Sequence, residues 1–235
     1  MNVLITGTSS GIGYGLALTY LKRGEKVWGT SRREPGDLVA YETYHHLQAD
    51  LTHAELIRDS LPKFLKELNQ VDLLILNSGI LGEIRLMNEV GVYEMKEVME
   101  INVWANKTLL DTLFQLDVPI KQVVGMSSKA SLRSSPGWGS YSLSKAGLNM
   151  LMNIYAKEYP DTHFISFAPG LVDSEIQDYI YSVKDTDKYP TAKVMHEARY
   201  TEIMPDAIAA APKLISGIAK ALTCESGTFV DVREM

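Results

Sequence analysis

The sequence has one cysteine, Cys224, and so no intrachain disulfide. That fits a reducing compartment. Its five histidines, His45, His46, His53, His163 and His196, are scattered and give no metal-ligand spacing with that cysteine, so no metal centre is expected. Basic residues are outnumbered, 23 against 29, for a net charge of −6, which argues against a nucleic-acid or anionic-membrane surface. No apolar run reaches membrane-spanning length, and the start, "MNVLITG", has neither a basic leader nor a signal-length apolar stretch. The most apolar late segment, "AIAAAPKLISGIAKAL", is interrupted by Pro212, Lys213 and Lys220. No Pro/Gly/Ser-rich linker, charge block or repeat divides the 235 residues, so one domain is expected. Together these absences predict a soluble cytoplasmic protein without nucleic-acid or membrane partners.

What is present is an alternation of short apolar runs with longer helical patterns. Strands are predicted at 2–7, 26–31, 44–50, 71–77, 121–128, 163–170 and 227–232. Helices are predicted at 11–24, closed by Gly24, at 54–70 with Pro62 as a disturbance, at 91–116 and at 141–158. "VDLLILN" is almost wholly apolar, as a strand covered on both faces should be. This order predicts an α/β fold: a doubly wound, mostly parallel seven-stranded sheet with helices on both faces, of Rossmann type. Ligands bind such sheets at the carboxyl ends of the strands, so the residues after each strand are the ones to inspect.

After the first strand comes "TGTSSGIG", Thr6 to Gly13. Gly7, Gly11 and Gly13 let the chain turn and let a pyrophosphate approach the backbone, with Ser9, Ser10 and Ile12 between them, while the following helix offers unpaired N–H groups. Eighteen residues beyond Gly13 stands Ser31, followed by Arg32 and Arg33, where an NAD-selective site usually has an acid. A serine leaves room for a 2′-phosphate and an arginine can pair with it, so NADP(H) is the expected cofactor, with Arg32 as the main contact and NAD(H) as the alternative. Asp50 and Leu51 follow the third strand; the carboxylate serves equally as an acceptor for an adenine amino group or as a cap of the next helix. Asn77 and Gly79 follow the fourth strand, Ser127 and Ser128 the fifth, Pro169 and Gly170 the sixth.

"YSLSK" sets Tyr141 and Lys145 one helical turn apart on one face. Taken in order, these elements resemble the short-chain dehydrogenase/reductase family of the short single-domain type. The glycine loop at Thr6–Gly13, "NSG", Asn102 in "EINVWAN", Ser128 thirteen residues before Tyr141, the Y-x-x-x-K pair and "PGLVDS" with Val172 and Ser174 carry the likeness, from residue 2 to about 174. Two positions depart from the family pattern: "NSG" for its N-[AN]-x-G, and Ser174 for a threonine.

The resemblance implies reduction of a ketone by NADPH. Tyr141 would give the proton and Lys145 would tune Tyr141 and hold the nicotinamide ribose. Ser128 would bond the carbonyl oxygen, and Asn102 would hold a water near Lys145. It also implies a substrate-covering segment at about 175–204 and a homodimer or homotetramer joined through the helices at 91–116 and 141–158. "FAPGLVDSEIQDYI", "GWGSYSLSK" and "ESGTFVDV" are similar to the sepiapterin reductase and benzil reductase branch. That likeness implies Asp231 as the anchor of a pterin edge, although Ser10 stands where a basic residue is common in that branch. The expected substrate is then a pterin side-chain ketone or an aromatic diketone. Two alternatives stand beside it: a 3-oxoacyl carrier-protein reductase or other alcohol dehydrogenase of the family, and a non-catalytic dinucleotide sensor.

Overall fold

The computed structural model describes residues 1–235. Seven strands form one all-parallel sheet: β1 (Asn2–Thr6), β2 (Lys26–Ser31), β3 (Tyr44–Gln48), β4 (Val71–Leu76), β5 (Ile120–Met126), β6 (His163–Ala168) and β7 (Thr228–Asp231). Their order across the sheet is β3-β2-β1-β4-β5-β6-β7, so the direction of winding reverses between β1 and β4. The crevice at that reversal is where a doubly wound sheet binds its ligand.

The strands are apolar throughout because both faces are covered. Val3, Ile5, Leu73, Ile75, Ile165 and Phe167 point to one side, against α1 (Gly11–Lys22) and α8 (Ala207–Ala221). Leu4, Leu74, Leu76, Val123 and Phe164 point to the other, against α2 (Ala54–Phe64), α4 (Ala105–Gln115) and α5 (Gly139–Glu158). The period-two alternation of the pleat thus splits each run between two cores. α1 and α8 touch where Gly15 meets the carbonyl of Ala207; a Cβ at Gly15 would stand 2.2 Å from that oxygen.

Several boundaries differ from those predicted. The strands stop one to two residues earlier at their carboxyl ends, since the residues beyond Thr6, Gln48, Leu76, Met126 and Ala168 leave the ladder for the site loops. α2 ends at Phe64, two residues after Pro62. The helix expected at 91–116 is α3 (Val92–Met99) and α4 joined by a π-helical turn, Glu100–Trp104. The expected substrate-covering stretch holds two short helices, α6 (Glu175–Ser182) and α7 (Pro190–Ala198). The Pro212 segment, left without an element by the sequence, is the helix α8, capped by Asp206, whose carboxylate accepts from the N–H groups of Ile208 and Ala209. No helix is long and apolar enough to cross a membrane.

Candidate active site

A cavity of about 480 Å³ opens over the carboxyl ends of β1, β2, β4 and β5. Its floor is the turn from β1 into α1. Gly7 and Gly11 have φ of +77° and +57°, conformations that strain any side-chain-bearing residue. Gly13 does not line the cavity; a Cβ there would lie 2.3 Å from the Gly7 carbonyl, so this glycine lets α1 start close beneath the loop. Ser9, Ser10 and Ile12 line the cavity with Gly7 and Gly11. Asn77 ties this turn to the end of β4: its backbone N–H donates to Thr6 Oγ1 and its Nδ2 to the Thr6 carbonyl, each at 2.9 Å. The switch point is therefore fastened from both strands.

On the far side of β1 lie Ser31, Arg32 and Arg33. Ser31 is turned inward, its hydroxyl donating to the Arg33 carbonyl at 2.6 Å and lying 2.9 Å from His46 Nε2. Arg33 rather than Arg32 reaches the glycine loop, its Nη2 donating to Ser10 Oγ at 3.2 Å. Arg32 acts on Asp50. Burial works against ionisation of that carboxyl, but donation from the Thr52 N–H and hydroxyl and the charges of Arg32 and His53 outweigh it and lower its pKa. Both Thr52 bonds end on Oδ1, so Asp50 caps its own turn and keeps Oδ2 without a partner. Leu51 lines the cavity beside it.

At the opposite end stands Tyr141 in the first turn of α5, with Lys145 one turn on. Lys145 is 4 % exposed; its Nζ donates to the Met126 carbonyl at 2.7 Å and lies 5.6 Å from the centre of the Tyr141 ring. No carboxylate pairs with it, and burial lowers its pKa to about 8. Burial pushes the Tyr141 phenol up to about 12, partly offset by a hydrogen bond with Ser128. The resemblance points to Ser128 rather than Ser127; in the structure Ser127 lines the cavity, its Oγ donating to Asn149 Oδ1 at 2.5 Å, while Ser128 does not line it and its Oγ accepts from the Ala130 N–H at 3.2 Å.

Asn102 lies in the π-helical turn, fully buried. Its Oδ1 accepts from the Ile80 N–H at 2.8 Å, and its Nδ2 donates to the Ile80 carbonyl at 2.8 Å and to Ser144 Oγ at 2.9 Å. Ser144 in turn donates to the Tyr141 carbonyl at 2.8 Å. Asn102 thereby fixes the loop after β4 to the turn that carries Tyr141. Gly79 leaves the space between: a Cβ there would stand 3.0 Å from Asn102 Oδ1 and 3.3 Å from Lys145 Nζ.

Pro169 and Ser174 line the cavity, whereas Gly170 and Val172 do not. The Val172 side chain belongs to the α1/α8 core. Asp231 is not brought to the cavity either. It is 3 % exposed at the end of β7, and its carboxylate accepts from Arg233 Nη2 at 2.6 Å and Nε at 2.9 Å, with Lys129 Nζ at 3.5 Å. Donation from Arg233 holds its pKa down to about 2. An anion with two cations on it has no open edge for a guanidine-like ligand.

The sequence reading missed Glu175, Ile176 and Tyr179, which place one face of α6 over the cavity. Their i, i+1, i+4 spacing was the available signal. Tyr179 Oη accepts from the Ile84 N–H at 2.9 Å, tying α6 to the loop after β4.

The residues present fit a dinucleotide: side-chain-free turns at the floor, an open carboxylate and two arginines at one end, and a buried, unpaired ammonium beside a phenol at the other. The chain matches the short chain dehydrogenase family over residues 1–185. It is similar to the benzil reductase ((S)-benzoin forming) of Bacillus subtilis, at 28% identity over an alignment covering 98% of each chain. Among solved structures it superimposes on the KRED1-Pglu enzyme with a TM-score of 0.84, at 23% identity, covering 98% of this chain and 100% of the other. It superimposes on ElxO with NADP bound with a TM-score of 0.78, at 22% identity, covering 98% and 96%. The protein belongs to the short-chain dehydrogenase family and is an oxidoreductase with a Rossmann-type fold.

Proposed function

We propose that the protein is an NADP(H)-dependent carbonyl reductase that converts a ketone to a secondary alcohol, with Tyr141 as the proton donor. The observation that carries this reading is the placement of Tyr141 with the buried, carboxylate-free Lys145 one turn away, its Nζ 5.6 Å from the Tyr141 ring, both lining one end of a cavity floored by the glycine turn. A nicotinamide dinucleotide bound there supplies the hydride. The chain's residues then manage one proton. Tyr141 is held as the neutral phenol, the form that can donate to the oxygen of the forming alcohol. Ser128 donates to the same oxygen and stabilises its developing charge. The Lys145 ammonium stabilises the phenolate left behind and turns from the Met126 carbonyl to the ribose. Asn102, beside Lys145 across Gly79, holds the water that returns the proton. Asn77, Gly79, Pro169, Gly170, Val172 and Ser174 line or support the nicotinamide end. Gly7 to Gly13 take the pyrophosphate, Asp50 and Leu51 the adenine, and Ser31, Arg32 and Arg33 the 2′-phosphate.

The wall facing Tyr141 includes Ile80, Leu81, Ile176 and Tyr179, which suits an apolar or aromatic ketone. Asp231 is engaged by Arg233, so an aromatic diketone fits better than a pterin. The name of the Bacillus subtilis relative supports the same substrate class. In this reading residues 175–204 cover the substrate, and the protein works in the cytoplasm as a homodimer or homotetramer. The apolar residues Trp104, Leu143, Met150 and Ile154, exposed on α5 and at the start of α4, support that assembly.

The test is oxidation of NADPH and of NADH by the purified protein with benzil, sepiapterin and a 3-oxoacyl thioester. Benzil reduction favouring NADPH is expected, and Tyr141→Phe should lower kcat/KM by about 10²–10⁴-fold while cofactor binding persists. Turnover of the thioester alone would sink the diketone reading. Cofactor binding without any turnover would make the protein a sensor.

A further inference from the structure

The glycine turn, the end of β2 and the start of α6 meet at one ion pair that the reaction does not use. Arg33 Nη2 donates to both carboxylate oxygens of Glu175, at 2.9 and 3.0 Å, and to Ser10 Oγ at 3.2 Å. All three residues line the cavity. Arg33 is the only cation bonded to the glycine turn, so of the two arginines that could reach a 2′-phosphate, the one anchored at that turn is already held by a carboxylate of the chain. The hold is weak. The two side chains are 63% and 61% exposed, and all the bonds run through one guanidinium nitrogen instead of the two-nitrogen fork of a strong pair.

Resting on the NADP(H) reading, we propose that Glu175 is a specificity-determining residue, an internal competitor for Arg33 that a ribose phosphate displaces and a ribose hydroxyl does not. A phosphate monoester carries nearly two charges and three acceptor oxygens. It can take the guanidinium from a single screened carboxylate. The neutral hydroxyl of NAD(H) has no such advantage, so Arg33 stays on Glu175. NADPH must therefore break the Arg33–Glu175 pair and bind beside the freed carboxylate, while NADH meets neither cost. Glu175 narrows the preference for NADPH that Arg33 alone would give.

The experiment is fluorescence titration of NADPH and NADH into wild type, Glu175→Gln and Arg33→Ala at low ionic strength, with thermal melts to confirm that these exposed substitutions leave the fold intact. Glu175→Gln should tighten NADPH about two- to fivefold, the range spanned by an exposed ion pair, and leave NADH unchanged. Arg33→Ala should bring NADPH affinity down towards that of NADH. Wild type that prefers NADPH, combined with a Glu175→Gln variant that binds NADPH no more tightly or tightens both cofactors alike, overturns the competitor role and leaves the cofactor reading standing. The same holds for Arg33→Ala with NADPH affinity intact. Wild type that binds NADH as tightly as NADPH overturns the cofactor reading and the inference with it.

Discussion

Lys145 is a single side chain whose burial costs stability, a cost that its proposed role beside Tyr141 would explain. Burial lowers its pKa to about 8 from 10.5, with no carboxylate in compensation. The folded protein releases this proton before the unfolded chain does, so between about pH 8 and 10.5 the unfolded chain holds more protons and stability rises with pH. Below pH 8 the whole cost of burying the ammonium is present. Lys145→Met should therefore melt at a higher temperature than wild type at pH 7, with the gain shrinking as the pH approaches 10.5. Titrating groups not coupled to Lys145 cancel in the difference between the two proteins, and the neighbouring Tyr141, raised to about 12, stays protonated through this range. A variant less stable at pH 7, or one whose gain ignores pH, would refute this account. The same substitution should abolish reduction, because no charge is left beside Tyr141.

At the level of elements, two contacts set the frame of the site. Gly15 lets α1 lie on the first turn of α8, and the 2.2 Å gap to the Ala207 carbonyl has no room for a methyl group. Gly15→Ala should cost about 1–3 kcal/mol in denaturant unfolding, since backbone must move. The second contact is the Asp231 cluster, which fastens the end of β7 to Lys129, the residue next to Ser128. A carboxyl held down to about 2 contributes stability that is present above pH 3.8 and lost as the pH falls towards 2. Asp231→Asn should lower Tm at pH 7 by about 2–4 °C and weaken all substrates alike. Selective loss of a pterin with Tm unchanged would restore Asp231 as a substrate anchor.

These two contacts also mark what was legible beforehand. Strands buried on both faces announced themselves as unbroken apolar runs, and Tyr141 and Lys145 were readable as neighbours because one helical turn separates them, whereas Ser128 came from the family resemblance. The partners of Arg33, Ser10 and Glu175, were not, because they come from distant segments brought together only by the sheet; the same holds for Lys129 beside Asp231, whereas Arg233 stands only two residues from that carboxylate. α8 was hidden by Pro212, which sits inside a helix that tertiary packing maintains. The cavity face of α6 was hidden among polar residues.

At the level of the molecule, the apolar residues on α5 and at the start of α4 lie opposite the sheet, where no other element of the chain covers them. Sedimentation equilibrium should give twice or four times the 26.1 kDa chain mass, and Trp104→Glu with Met150→Glu should shift it towards the monomer. A monomeric wild type would refute the proposed assembly.

The reversal of winding between β1 and β4 has a further consequence, for biosynthesis. The four strands β3, β2, β1 and β4 are translated before β5, so for a time the nascent sheet ends at β4. That edge is largely apolar, and its neighbour has yet to leave the ribosome. An open edge of this kind pairs readily with other chains. The strand that walls the crevice in the finished enzyme is thus, on its other side and during synthesis, the border of an unfinished sheet, and a ribosome that stalls before residue 120 leaves behind a fragment disposed to aggregate.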